Sequence, residues 1–593
     1  MSDNPYVPMP PVDPTFRPRV WPGVLILLVV LAMLLVPPFV IERSQLQFML
    51  MMMAPMLAVA GGMLWWMGFS RVPAVDRGLA LFLFLVPAGG FAAEEVLDAP
   101  GQPPMGVMVY GVPFVFLCWV LGLMVGLPFP PARRTLLYLG LCLGWVGFGL
   151  VRIEGTTGSL VPELTWRWNK KPEDAAKDIK RETVNLTSGA EVTNGDWAEF
   201  RGPNRDNVVR GVTLADWTAS PPKGVWEKPI DVGPGWGSFA VVGDRLYTME
   251  QQGNEEAVVC LDAATGKLAW KEPFKYPAFF KEKISGAGPR STPTVKDGRV
   301  YTFGATGMLS CLDAKTGEKV WQVDAREAAA ATPPNPWWGY ASSPLVTRGL
   351  VIVCVPDQGT AAFTAENGEL KWKAGKATHG YSSAQLATIA GAEQVLMLSN
   401  HGLEGFDIDT GKVLWEHPWP MPGGSRSLQP TAVGEGEFLI GSGVGTVMGT
   451  RRVKVTKAGD TWKADAVAWE VGAKFSPYYN DGVIHGGHFY GFSGKNFICV
   501  DVATGKLKWD EGAVHGNGQV LLFADAGQLL VTSEYGKMFL VKCNPAEYEE
   551  VARAPTVPGK MWNHAAYARG KLYVRSDKKA MCFELAATPK SGQ

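Results

Sequence analysis

The sequence predicts an N-terminal transmembrane α-helical bundle of five spans, followed by an all-β, eight-bladed β-propeller. Two observations carry this. The pattern Asp-x-x-Thr-Gly-x-x-x-Trp occurs at Asp262–Trp270, Asp313–Trp321, Asp407–Trp415 and Asp501–Trp509, and long apolar stretches crowd into the first quarter of the chain. A looser copy ends at Trp372, and Trp469 closes a segment that has lost the Thr-Gly pair but kept the aromatic. The successive Trp-to-Trp intervals are 51, 51, 43, 54 and 40 residues, a period that marks stacked supersecondary units.

Each motif reads as a β-hairpin. Asp and Thr bond neighbouring backbone amides at the turn, and Gly supplies the positive φ that a tight turn needs. A second hairpin precedes it, as in Ser291 to Phe303, where Asp297-Gly298 separates alternating apolar runs. Every unit is therefore four short antiparallel strands, and such sheets cover both faces only when packed radially around an axis. Eight units are countable, with innermost strands beginning near Ser238, Ser291, Ser342, Ser382, Gln429, Asn480, Gln519 and Asn563. The fifth and seventh depart from the pattern in their outer hairpins. The eighth runs out before a terminal Trp strand, so Gly224 to Ile230, which carries Trp226, is expected to supply it and close the ring.

The apolar fraction of 47%, with 22 Trp, is too high for one uniform soluble domain. Residues 1–20 hold six prolines and read as a disordered cytoplasmic tail. Residues 21–153 form the expected membrane domain, with spans at Trp21–Ile41, Gln45–Phe69, Gly78–Ala93, Gly106–Leu127 and Thr135–Val151. The third is nearest the lower limit of ~17 residues for a span. Arg17, Arg19, Arg71, Arg77, Arg133 and Arg134 lie in alternate loops, while Glu94, Glu95 and Asp98 lie in another. The positive-inside rule then predicts a multi-pass protein of the bacterial inner membrane, with a cytoplasmic N-terminus and a periplasmic propeller. Residues 154–195 read as a juxtamembrane linker, 196–223 as a pre-propeller segment, 224–586 as the propeller and 587–593 as a tail.

Lysines and arginines number 56, as do the acidic residues, so no global field invites nucleic acid, which is not an expected partner. Cys260, Cys311, Cys499 and Cys582 recur at equivalent places in different units, which argues against their pairing. No Cys-x-x-Cys-His run marks a covalent haem. His485 and His488 flank a glycine turn, and no metal site is expected. The run at 441–446, GSGVGT, lacks the lysine of a phosphate loop. The informative constellation comes from the repeat itself. Just before the innermost strands stand Trp236, Arg290, Tyr340, Tyr381, Arg426, Tyr478, His515 and His564, and equivalent positions in a propeller converge on one mouth of the channel. These residues either plug the channel or form a binding mouth in which Arg290 and Arg426 receive an anionic group.

The four strict motifs resemble the tryptophan-docking repeats of pyrroloquinoline-quinone (PQQ) dehydrogenases and of the β-barrel assembly lipoprotein BamB. Trp197 to Asp206 resembles the Trp-x-x-Phe-Arg-Gly-Pro-Asn-Arg-Asp run before the propeller of bacterial PQQ-like repeat proteins. The resemblance spans roughly 196–586 and implies the fold rather than an activity. It implies a membrane-anchored periplasmic propeller that binds or scaffolds a protein, peptide or glycan in the cell envelope, with no cofactor. The inner membrane and an envelope protein or peptide would be its partners. The alternative is a PQQ-dependent membrane-bound dehydrogenase passing electrons to quinone, since the layout resembles membrane-bound quinoprotein glucose dehydrogenases. That activity would need PQQ with Ca²⁺ on oxygen ligands, for which Asn480, Asp481 and Asn563 are at hand. The vicinal disulfide of methanol-type quinoproteins is absent from the sequence.

Overall fold

The computed structural model describes residues 16–40, 44–158, 161–274, 279–332, 336–422, 424–445, 447–472 and 474–589. Most of the expected N-terminal tail, and residues 590–593 of the C-terminal one, lie outside these. The chain divides into two compact units, residues 1–170 with 281–286, and residues 171–280 with 287–593.

The first unit is helical. Among the described residues three helices are long and apolar enough to cross a membrane, Met49–Phe69, Ala74–Asp98 and Val107–Gly126. This corrects the expected count of five. Trp21–Leu35 has 15 residues, about 22 Å of helix against a hydrocarbon core of about 30 Å. Arg133–Leu150 has Arg133 and Arg134 in its first turn, which leaves an apolar length of about 24 Å. The stretch expected to be shortest is instead the longest helix, 25 residues, because Ala-Ala-Glu-Glu are good helix formers and carry it onward. Glu94, Glu95 and Asp98 therefore end a helix rather than form a loop. Asp98 is met by Lys281 and Lys283, whose Nζ atoms lie 3.3 and 3.1 Å from its carboxylate. The helices Val112–Gly126 and Arg133–Leu150 touch backbone to backbone. A Cβ on Gly122 would lie 2.5 Å from the Leu136 carbonyl, and one on Gly140 2.5 Å from that of Cys118. The expected linker is not featureless: Val151–Thr156 pairs with Pro162–Trp166, and Pro172–Lys177, in the second unit, is a helical turn and a half.

The second unit is the eight-bladed propeller. Its blades span residues 240–273, 294–324, 345–374, 385–418, 431–471, 483–510, 519–555 and 566–584. Blade 8 has three strands of its own, and its last, Lys579–Glu584, pairs with Lys223–Gly224 and Ile230–Asp231. Ala587–Pro589, expected as tail, pairs with Val212–Leu214. The recurrent Asp accepts from the turn Thr, as where Thr316 N donates to Asp313 Oδ1 at 2.7 Å. The following Gly takes φ of 79° at Gly317 and 69° at Gly505.

The Trp at the end of one blade clasps the turn of the next. Indole N–H groups donate from Trp226 to Ala263, Trp270 to Ala314, Trp321 to Ala365, Trp372 to Ile408, Trp469 to Val502 and Trp509 to Asn544, all carbonyls, at 2.8–3.3 Å. The ring then lies on the turn glycine: a Cβ at Gly368 would sit 2.7 Å from Trp321. Trp415 departs from this. Blade 5 has no Asp-Thr-Gly turn to receive it, and its indole donates within blade 4 to Gln394 Oε1 at 2.7 Å. Each recurrent cysteine is buried opposite a tyrosine, with Cys260 facing Tyr247, Cys311 Tyr301, Cys499 Tyr490 and Cys582 Tyr573, and all eight cysteines are free.

Candidate functional site

Where the innermost strands begin, neighbouring blades are laced by side chains. Main-chain N–H groups donate from Ser238 to Thr292 Oγ1, Thr292 to Ser343 Oγ, Ser343 to Ser383 Oγ, Ser383 to Gln429 Oε1 and Gln429 to Asp481 Oδ1, at 2.8–2.9 Å. Past blade 6 the sense reverses. The amide nitrogens of Asn480, Gln519 and Asn563 donate to the carbonyls of Gly518, Trp562 and Gly237. The amide oxygens of these three residues are buried without a protein partner, which suits channel waters.

The pre-propeller run lies across this channel. Trp197 exchanges both backbone hydrogen bonds with Val241 of blade 1, at 3.0 and 2.8 Å, and the Ala198 carbonyl accepts from Val295 of blade 2. Arg205 reaches blade 3, donating to the carbonyls of Ser343 and Pro344 at 3.0 and 3.1 Å while pairing with Glu199 at 2.8 Å. Arg201 lies 3.6 Å from Asp481 of blade 6. Val208–Val209 runs parallel to the innermost strand of blade 7. Asn207 Nδ2 is 2.9 Å from His564 Nδ1 of blade 8, and Phe200 meets the same imidazole edge to face. Arg201, Arg205 and Asn207 hold φ of 65°, 53° and 58°, a left-handed geometry sustained only where surrounding contacts enforce it. Trp197 supplies one such contact by filling the space above Gly202.

The eight residues expected at the mouth do not form one group. Arg426 is fully buried. Its Nε, Nη1 and Nη2 donate to the carbonyls of Gly441, Ser399 and Trp419 at 3.2, 2.6 and 2.8 Å, and burial pushes its guanidinium down to about 10. Each nitrogen is committed to main chain, so this arginine is a clasp between blades. Tyr340 and Tyr381 are buried: Tyr340 packs on Phe303, and the Tyr381 hydroxyl accepts from Trp338 N at 3.2 Å. His515 sits among Phe497, Phe539 and Tyr548, where burial holds its imidazole down at about 4. His564 faces the channel, and burial, aided by the Arg201 charge, holds it at about 3. Burial raises the Asp481 carboxyl.

Trp236 and Tyr478 do come together, in a patch whose other members the repeat did not reveal. Trp236 stacks on Trp562 with centroids 4.9 Å apart, and Tyr479 lies 5.7 Å from Trp562 and 5.5 Å from Tyr478. The Lys560 ammonium covers both indoles, 5.6 Å from Trp236 and 5.1 Å from Trp562. Trp562 Nε1 donates to Glu534 Oε2 at 2.9 Å. The other Glu534 oxygen and the Tyr479 hydroxyl are buried with no protein partner. Arg290 stands apart, its guanidinium 4.7 Å above Phe280. Near it Glu256 is fully buried, with Oε1 accepting from Ala305 N at 2.8 Å, and burial pushes its carboxyl up to about 7. A cluster of His401, Glu404 and Glu416 on blade 4 also went unseen, because its third member lies across a strand pair rather than at a short spacing.

Eight four-stranded blades, linked by indole clasps and closed by a strand from before the first blade, define a PQQ-like β-propeller with an apolar helical region ahead of it. The chain belongs to the outer membrane protein assembly factor BamB family, whose model matches residues 205–332 and 280–511. It is 28% identical over 309 residues to the outer membrane protein assembly factor BamB of Burkholderia pseudomallei, covering 49% of this chain and 68% of that protein. It is 30% identical over 179 residues to the dehydrogenase subunit of a quinone alcohol dehydrogenase from Acetobacter aceti, covering 29% of this chain. The match spans only 22% of that subunit's length. The crystal structure of BamB from Moraxella catarrhalis superposes with a TM-score of 0.40 at 15% identity, covering 60% of this chain and 94% of that one.

Proposed function

We infer that this chain is a membrane-anchored envelope propeller whose aromatic mouth, Trp236, Tyr478, Tyr479 and Trp562, binds a segment of an envelope protein. The observation that carries this is the pairing of stacked indoles with the Lys560 ammonium and two unpartnered buried polar groups. Aromatic faces beside a few polar groups suit polypeptide recognition. Membership in a family described as an outer membrane assembly factor supports the same class of partner.

The dehydrogenase reading is less well supported by the channel. PQQ would bring a redox-active quinone, and its Ca²⁺ would need a carboxylate free to coordinate. Asp481 accepts from Gln429 N and has a guanidinium 3.6 Å away, which opposes a divalent cation. Phe200, Arg201 and Arg205 fill space beside the innermost strand ends of blades 8, 6 and 3. The residues present do not fit that pair.

The side of the membrane turns on Arg133–Leu150. If this helix crosses, the propeller lies opposite Arg71, Arg77, Arg133 and Arg134, which the positive-inside rule places in the cytoplasm. We propose that it does cross, its short apolar length of about 24 Å accommodated by local thinning of the bilayer, and place the propeller in the periplasm on that basis. A reporter active only in the periplasm should then work after residue 589 and fail after Arg77.

The decisive test places a photo-crosslinking residue at Tyr478 in cells. An envelope protein should be captured, and capture should fall at least about tenfold in Trp236→Ala with Trp562→Ala, the loss of two aromatic anchors. Equal capture from the double variant refutes the reading. So does micromolar binding of PQQ with Ca²⁺ to the purified chain.

A further inference from the structure

The outer half of blade 4 holds three metal-ligating groups unconnected with the mouth. Glu404 and Glu416 stand directly opposite each other on paired strands, an arrangement in which like charges repel. Glu404 is 1% exposed. Among the described residues its hydrogen bonds come from a single donor, the main-chain N–H of Lys376, 3.1 and 3.3 Å from its two oxygens. A buried carboxylate served by one proton keeps lone pairs without partners, and a cation would supply what they lack.

His401 completes the group. Its Nε2 lies 3.1 Å from Glu416 Oε2, and one ligand atom from each of the three residues falls within 4.8 Å of the others. The turn that aims this imidazole is closely held. Ser399 and Gly402 exchange backbone hydrogen bonds at 2.8 and 3.1 Å, and the His401 carbonyl accepts from Trp419 N at 2.8 Å. Gly402 has φ of 144°, and a Cβ there would lie 2.1 Å from the His417 carbonyl. The ligands thus stand on a strand pair and a fixed turn, as a preorganised site requires.

We propose that His401, Glu404 and Glu416 form a binding site for a divalent cation of the zinc class. One imidazole nitrogen with two carboxylate oxygens suits Zn²⁺ or a neighbouring transition metal and disfavours Ca²⁺, which takes oxygen alone. Tetrahedral ligands about 2.1 Å from zinc sit roughly 3.4 Å apart, close to the His401–Glu416 separation. Three protein ligands leave a fourth position for water. Lys376 is the competitor. Its ammonium lies 2.9 and 2.8 Å from the two Glu416 oxygens, but its side chain is 60% exposed. An exposed pair of this kind is weak, so the ammonium is easily displaced into solvent. The Lys376 main-chain N–H stays on Glu404 and orients it toward the metal.

The test is calorimetric titration of ZnCl2 into the tag-free full chain in detergent, after stripping with chelator. One Zn²⁺ should bind per chain, more tightly than Ca²⁺. Glu404→Gln and His401→Asn should each weaken binding by about 100-fold or more, since even groups that only orient a ligand cost 10–100-fold. Lys376→Ala should tighten it severalfold. His401 is partly exposed, so His401→Asn keeps the test sound if the buried Glu404→Gln fails to fold. No Zn²⁺ binding, unchanged affinity in His401→Asn, or Ca²⁺ held as tightly as Zn²⁺ would each overturn the site, leaving a charge cluster balanced by Lys376.

Discussion

Replacing Arg205 by Ala should loosen the run that crosses the channel. The guanidinium is buried and makes three polar contacts, to Glu199 at 2.8 Å, Ser343 O at 3.0 Å and Pro344 O at 3.1 Å. Hydrogen bonds to a charged group contribute about 1.5–3 kcal/mol each, and stranding one member of a buried ion pair costs about 3–5 kcal/mol. These are not additive, because burial already pushes the Arg205 pKa down and so opposes its charge. A net loss of about 3–5 kcal/mol follows. For a unit of about 400 residues the unfolding entropy is near 0.8 kcal/mol/K, so Tm should fall by about 4–6 °C. The assay is tryptophan fluorescence on heating the full chain in detergent, with limited trypsin digestion alongside. A loosened run exposes Arg201, and cleavage there should become rapid. Arg205→Lys, which keeps the charge but loses the fork, should fall between. A Tm within about 1 °C of wild type, with Arg201 still protected, would refute the reasoning.

Two further outcomes are expected. Gly368 and Gly349 both hold positive φ, 77° and 70°, but only Gly368 lies under an indole, that of Trp321; Gly349 faces open space. Gly349→Ala should cost about 1–2 kcal/mol and Gly368→Ala about 1–3 kcal/mol more, and equal midpoints in urea would refute the indole clasp. Two buried groups should impose opposite pH dependences that offset each other between about pH 4.5 and 6.5. His515 sits at about 4 when folded, below its ordinary 6.5, so stability present above 6.5 is lost as pH falls toward 4, by about 3 kcal/mol. Glu256 sits at about 7 against an ordinary 4.5, so stability present below 4.5 is lost as pH rises to 7, by a similar amount. His515→Leu should unmask a fall of about 3 kcal/mol as pH rises from 4.5 to 7, and Glu256→Gln one of about 3 kcal/mol as pH falls from 6.5 to 4. A pH profile as flat as wild type in either variant would reject its assignment.

The blades were legible because their signal is local. Asp, Thr and Gly within five residues set each turn, and the Trp that follows has one place to go. The ring-closing strand was legible for the same reason, as a Trp-bearing stretch lacking a unit of its own. Side-chain direction was not. Arg426 occupies the repeat position expected of it, yet its reach to three carbonyls depends on Trp419 and Gly441 of neighbouring elements. Arg205 finds its partners 138 and 139 residues away, beyond any spacing rule. Glu404 and Glu416 could have been paired in advance, since the turn at Asp407–Lys412 fixes the register between them. Helix length in the membrane region failed as a reading because apolar composition does not show where a helix stops.

The closing strand has a consequence measured in time. Lys579 of blade 8 bonds Asp231, a partner 348 residues earlier in the chain. At a synthesis rate of about 5–20 residues per second, residues 223–231 wait roughly 20–70 s before their partner strand exists. Through that interval the nascent propeller shows two raw sheet edges, both able to pair with a neighbouring chain. A cell making this protein must shield an unfinished circle for about a minute, and a slow ribosome lengthens the exposure.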